Sequence, residues 1–142
     1  MTTLNEKPLS KANELEVELQ FFMGSDARYR HAQDQNVLYT PGVKHLANRA
    51  KAHWLLDSIV SALKSPEFML AESENPLVGE IHYWELNTNR LDGTAILHAE
   101  SDYGSEPFIK RNFTLIDFPF DQIGMLAVFD EGDWTLYMPI DY

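Results

Sequence analysis

The apolar pattern of this chain changes period once, near residue 77, and that change limits what the chain can fold into. Upstream, apolar residues recur three and four apart, the spacing of one helix face. Downstream they alternate with polar residues, the spacing of one sheet face. Helices first and strands second spell an α+β arrangement, because a parallel α/β sheet needs the two kinds of element to alternate.

In the helical part, Ala12, Leu15, Leu19 and Phe22 follow one face, with Ser10 placed to cap the start and Gly24 to stop the helix. Residues 25–38 read as irregular. Thr40 then suits an N-cap and Pro41 the first helical position, where its missing N–H would be unpaired in any case. The pattern predicts a long second helix, Pro41 to Lys64, ended by Ser65-Pro66. It carries two apolar faces. Val43, Leu46, Ala47, Ala50 and Trp54 lie on one; Ala52, Leu56, Ile59, Val60 and Leu63 lie on another, about 150° away at the helical period. Its two halves must therefore bury against different partners, or the helix must kink near Trp54. Trp54, where the faces meet, is expected to anchor the core.

In the alternating part, strands are predicted at about 78–87, 94–101, 109–118, 125–130 and 133–138. The segments between them are turn chemistry: Asn89 to Gly93, Tyr103 to Pro107, Pro119 to Gly124 and Asp130 to Asp133. Leu91-Asp92-Gly93 suits a three-residue hairpin loop, and Gly93 and Gly132 are expected in left-handed positions. Short connections make neighbours antiparallel. The expected fold is one α+β domain over residues 1–142. Two N-terminal helices precede a five-stranded antiparallel meander sheet packed on the long second helix.

Charge is distributed as unevenly as period. The chain has a net charge of −11, and residues 66–142 hold fifteen acidic side chains against three basic ones. Residues 37–65 hold one acid, Asp57, against four bases. A surface this negative disfavours direct contact with nucleic acid or anionic lipid, both polyanions. The absence of cysteine excludes disulfides, thiolate metal sites and cysteine nucleophiles. The N-terminus lacks the apolar segment of a signal peptide and no apolar run reaches membrane-spanning length, so a cytoplasmic protein is expected. Nucleotide-binding, zinc-protease, serine-hydrolase and calcium-loop patterns are missing, so no cofactor and no catalytic residue is assigned.

The segments Tyr39-Thr-Pro-Gly-Val-Lys-His-Leu46, Trp54-Leu-Leu-Asp57, Asp92-Gly93, Asp117-Phe-Pro119 and Met138-Pro-Ile-Asp-Tyr142 resemble an uncharacterised family of small bacterial, phage and plasmid proteins. The resemblance implies a mobile-element setting and carries over no activity and no catalytic residue.

Two groups of side chains can do something beyond folding. His82, Trp84, His98 and Glu100 share one sheet face if the hairpin around residue 91 pairs with an even sum, as a three- or five-residue loop gives. Two imidazoles and a carboxylate could then hold a divalent metal or move a proton, although a half-exposed sheet face would look the same. The second group is acidic: Glu80, Glu85, Glu100, Asp102, Asp130, Glu131 and Asp133. Same-face strand residues stand about 6.6–6.8 Å apart and strands about 4.8 Å apart, so such carboxylates could imitate a polyanion. The same residues could serve only solubility. Lys44, His45 and Arg49 at the start of the long helix, with Arg28, Arg30 and His31 before it, could form an anion pocket or a solvated face. Asp57, alone in an apolar run, must be paired or at a rim.

The expected function is a non-enzymatic binding module that presents an acidic face to a basic protein surface, such as a nucleic-acid-handling host protein inhibited by a phage or plasmid product. The alternative is a small enzyme or ligand- or metal-binding protein using the histidine face. Oligomeric state is not encoded in these patterns.

Overall fold

The computed structural model describes residues 11–102, 104–114 and 116–142. The expected cap at Ser10 lies outside them. Helix α1, Lys11–Leu19, buries Leu15 and Leu19 and runs into a 3-10 turn at Gln20–Phe22. Two short strands follow, β1 (Tyr29–Arg30) and β2 (Val37–Tyr39), in the stretch expected to be irregular. At two and three residues they are too short to show a period, and only pairing with the rest of the sheet makes them strands.

The expected single helix from Pro41 to Lys64 is two helices: α2, Pro41–Arg49, and α3, His53–Leu63. Thr40 caps α2, its Oγ1 accepting from the Val43 N–H at 3.2 Å, with Pro41 at the first helical position. The break falls at Lys51, which takes a left-handed φ of 52°. That conformation is strained for a residue with a Cβ, and here it is stabilised by the helices it separates. The Ala52 N–H reaches back to the Ala47 carbonyl at 2.9 Å while α3 leaves in a new direction. The two incompatible apolar faces are thereby freed to bury separately. Ser65 and Pro66 end α3 and also begin a further helix, α4 (Pro66–Glu74). Ser65 Oγ accepts from the Phe68 N–H at 3.2 Å, repeating the Thr40-Pro41 device.

Five longer strands complete the sheet: β3 (Ile81–Asn89), β4 (Thr94–Glu100), β5 (Pro107–Phe113), β6 (Gln122–Asp130) and β7 (Asp133–Tyr137). The strand order is β1-β2-β7-β6-β3-β4-β5, and β2 lies parallel to β7. The expectation of two helices and a five-stranded antiparallel meander is therefore overturned. Among the described residues there are four α-helices and a seven-stranded mixed sheet. β6 does not pair with β5 but returns to lie beside β3, so β6-β3-β4-β5 is a Greek key. The connecting segment is no tight turn. Phe118 is buried against Trp54, and the segment is tied to the β3–β4 hairpin by Ile116 N–H to Gly93 O and Thr88 N–H to Asp121 O, both 2.8 Å.

One face of the sheet is the floor of the core. His82, Trp84, Leu86, Ala95, Leu97, Ala99, Ile109, Met125, Ala127 and Leu136 point inward and share one buried cluster with α2, α3 and α4. Trp54 is only half buried, with its ring 5.0 Å from Phe113 at the border of that cluster, so it does not anchor the centre. Trp84, 2% exposed, has that position. Trp84→Ala is expected to cost about 3–5 kcal/mol and Trp54→Ala distinctly less. Urea unfolding of both variants checks the order, and an equal or larger loss at Trp54 would contradict it.

Candidate functional site

The hairpin between β3 and β4 decides which candidate residues meet. Asn89 pairs with Thr94, leaving a four-residue loop, Arg90 to Gly93, instead of the expected three. Gly93 takes φ 72°, and Asp92 Oδ1 accepts from both the Thr94 N–H (3.1 Å) and its hydroxyl (2.6 Å). A four-residue loop gives an odd pairing sum: Trp84 lies opposite Ala99, and Glu85 opposite His98. His82 and Trp84 therefore face the core while His98 and Glu100 face outward, so the four residues do not form one site. On β4 the inner positions are Ala95, Leu97 and Ala99, and slipping that strand by one residue would turn His98 and Glu100 into the core in their place.

His82 is fully buried and both ring nitrogens are used. Nδ1 donates to the Val78 carbonyl at 2.9 Å, and Nε2 accepts from the Trp84 indole N–H at 2.8 Å. Phe68, Phe108 and Trp134 close around the ring at centroid distances of 5.4, 5.6 and 5.0 Å. Burial pushes its pKa down from 6.5 to about 4. Protonation would also set a donor against the indole donor. This histidine is a structural group, with no lone pair left for a metal.

On the outer face the odd register brings together Glu85, His98 and Glu100. His98 Nε2 is 2.7 Å from Glu100 Oε1 and 3.6 Å from Glu85 Oε1. Glu100 Oε2 accepts from the Gly104 N–H at 2.7 Å, and Glu85 Oε1 from the Asn87 amide at 3.0 Å. From its place in the sequence Glu85 reads only as a surface acid; the odd pairing sum is what sets it opposite His98.

The remaining acids converge by topology. The start of β3, the end of β4, the end of β6 and the start of β7 all lie at one end of the sheet. Glu80, Asp102, Asp130 and Glu131 are exposed there, and Asp133 is partly exposed. Glu85 and Glu100, by contrast, are mostly enclosed in the niche with His98. A groove of about 640 Å³ opens at the acidic end. Its rim carries Glu80, Asp130, Glu131 and Asp133, and its apolar lining includes Leu38, Ile81, Val128 and Tyr137. One guanidinium, Arg28, borders it, already turned over the Tyr137 ring at 5.2 Å.

The basic residues of the first half do not make an anion pocket. His45 and Arg49 both bond Glu18, at 2.6 and 2.9 Å, and this holds the Glu18 carboxyl below its usual range. Lys44 sits 3.9 Å over Tyr29, and Arg30 is 3.7 Å from Asp133. His31 Nε2 is 2.8 Å from Asp57, while its Nδ1 accepts from the Gln33 and Asp34 N–H groups. That dyad has no free nitrogen with which to activate a nucleophile, and Asp57 is paired at a rim. The start of α2 is also taken. Asp141 Oδ2 accepts from the Thr40 hydroxyl at 2.7 Å and from the Met138 N–H at 3.2 Å. Gly42 leaves the space, since a Cβ there would come within 2.9 Å of the carboxylate. Two of the resembling segments, 101 residues apart, thus meet as one contact.

Fold and site together define an α+β protein whose helices cover one sheet face and whose other face carries a histidine–carboxylate niche and an acidic groove. The chain belongs to a family of unknown function (DUF6876), which matches residues 13–142. No curated protein and no solved structure matches. Among the described residues, no helix is long and apolar enough to cross a membrane.

The depressed pKa of His82 has a sign. The unfolded chain takes up its proton near pH 6.5, the folded chain only near 4. The contribution to stability is therefore complete above about 6.5 and is lost as pH falls toward 4, about 3 kcal/mol at 1.36 per pH unit. His82→Gln keeps one donor and one acceptor and cannot titrate, so urea unfolding between pH 7 and 4.5 should show a much shallower slope. Equal slopes in both proteins would contradict this origin. The carboxyls of Glu18, Asp34 and Glu67, lowered chiefly by hydrogen bonds from Arg49, Lys64 and Arg111, act in a more acidic window.

Proposed function

We propose that this protein is a non-enzymatic binding module whose acidic groove receives basic side chains of a partner protein. The supporting observation is the convergence of Glu80, Asp130, Glu131 and Asp133, from separate strand ends, on a groove whose wall also carries apolar side chains such as Leu38 and Val128. A lysine or arginine is apolar along its stem and charged at its tip, and such a groove matches both parts. Four carboxylates stand against two guanidiniums, Arg28 over the Tyr137 ring and Arg30 at 3.7 Å from Asp133, which leaves the groove net negative. Asp130 and Asp133 pair across the β6–β7 hairpin with Glu131 at its tip, a dense carboxylate display suited to a surface built for phosphates. The natural partner on this reading is a nucleic-acid-handling protein engaged through its basic surface. Inhibition of such a host protein by a mobile-element product is the setting that the family resemblance suggests.

A labelled peptide of lysine and arginine provides the probe. Binding should weaken steeply with salt, because exposed charges are screened over a Debye length of about 10 Å at 0.1 M. Changing Asp130, Glu131 and Asp133 to lysine should reduce affinity at least tenfold, chiefly by slowing association. Changing the exposed Glu14, Glu16 and Asp117 to lysine alters net charge equally and should have much less effect. Equal losses in the two triple variants would mean that net charge alone attracts the peptide, and the groove would have no special role.

A further inference from the structure

The Glu85–His98–Glu100 niche is distinct from the groove and has the composition of a metal site. We propose that it binds one divalent first-row transition ion, of which zinc and manganese are the representative probes. His98 and Glu100 are two apart on β4 and so project from the same face, and Glu85 comes from the paired position on β3. One donor atom from each residue lies within 4.8 Å of the others, close enough for a shared ion after small side-chain rotations. Their side chains are only 22%, 13% and 13% exposed for Glu85, His98 and Glu100. Two carboxylates so enclosed share one imidazole, and a divalent cation would offset the charge that the imidazole leaves uncompensated.

The donor set selects the ion. One nitrogen and two carboxylate oxygens suit zinc, manganese or iron, whereas calcium and magnesium take oxygen ligands throughout. Outer contacts hold the ligands in place: the Gly104 N–H on Glu100 and the Asn87 amide on Glu85. Beside the niche is a mainly apolar cavity of about 130 Å³, bordered by Glu85 and Glu100 together with Tyr83, Trp84, Gly124, Met125 and Pro139. Gly124 is the β6 partner of Glu85, and its missing side chain keeps that space open. Three protein ligands leave the remaining coordination positions to solvent, so the site is open and not a closed structural one.

Tag-free protein stripped with chelator and titrated calorimetrically with zinc should bind one ion, and its melting temperature should rise. Glu85→Gln and Glu100→Gln preserve shape and should each weaken zinc at least tenfold, and His98→Ala should abolish the site. Manganese should broaden the NMR signals of Glu85, His98 and Glu100 before any others. The proposal is overturned if the parent takes up no zinc at 100 µM, if the three variants bind like the parent, or if manganese first broadens the Asp130–Asp133 hairpin. Because the parent protein alone supplies the titration and the manganese map, a variant that fails to fold leaves both results decisive. The acidic groove stands or falls separately, by its own peptide assay.

Discussion

The hydrogen bond from the Trp84 indole to the buried His82 ring holds the central strand in one register, and the outer surface follows from it. An indole N–H and an imidazole inside an apolar layer each need a partner, since an unsatisfied buried group costs about 1–3 kcal/mol. They find one in each other and in the Val78 carbonyl. With both side chains inward, every second residue of β3 faces outward, and the pairing with β4 then sets Glu85 against His98. A slip of one residue between the two strands would turn His98 and Glu100 toward the core beside Trp84 and leave Glu85 outside. The niche on the solvent face is thus fixed by polar groups on the other side of the same strand.

The helical layer obeys a similar constraint. A continuous helix from Pro41 to Lys64 would leave one of its two apolar faces in water. A left-handed Lys51 costs roughly 1–2 kcal/mol. Exposing even one large apolar side chain costs about as much, and the second half of the segment carries several. The chain therefore breaks, and Leu55, Leu56, Ile59 and Val60 are buried on a helix of their own. The same preference for burial governs the β5–β6 connection, where Phe118 enters the core and carries the chain back beside β3.

Electrostatics divide the molecule along the same lines. Arg28, Arg30, His31, Lys44, His45 and Arg49 of the first half are engaged internally, on Asp133, Asp57, Glu18 and tyrosine rings. The acids of the second half outnumber their partners, and the antiparallel pairing of β3, β4, β6 and β7 gathers them at one end. Those drawn into the His98 niche lose exposure, while those at the strand tips keep it. Two acidic sites of different geometry result: an open groove at the strand tips and an enclosed niche around His98.

Local chemistry written in the chain was enough to place several features. Thr40-Pro41 opens a helix and Gly93 and Gly132 adopt left-handed turns, at φ 72° and 86° for the two glycines. Period-two alternation marks the five longer strands, because each depends on neighbours only a few positions away, but it carries the third of them to 118 where β5 ends at Phe113 and the chain leaves the sheet to bury Phe118. The Ser65-Pro66 start of α4 was legible by the rule already applied to Thr40-Pro41. Strand order, the parallel pair of β2 with β7, the odd register of the hairpin and the meeting of Thr40 with Asp141 depend on residues up to 101 positions apart. Alternation says that two side chains of one strand share a face, but not which residue of the next strand lies opposite. That is settled by which pairing buries the most apolar surface without stranding a polar group, a property of the packed whole, and it decided that Glu85, and not His82, belongs with His98 and Glu100.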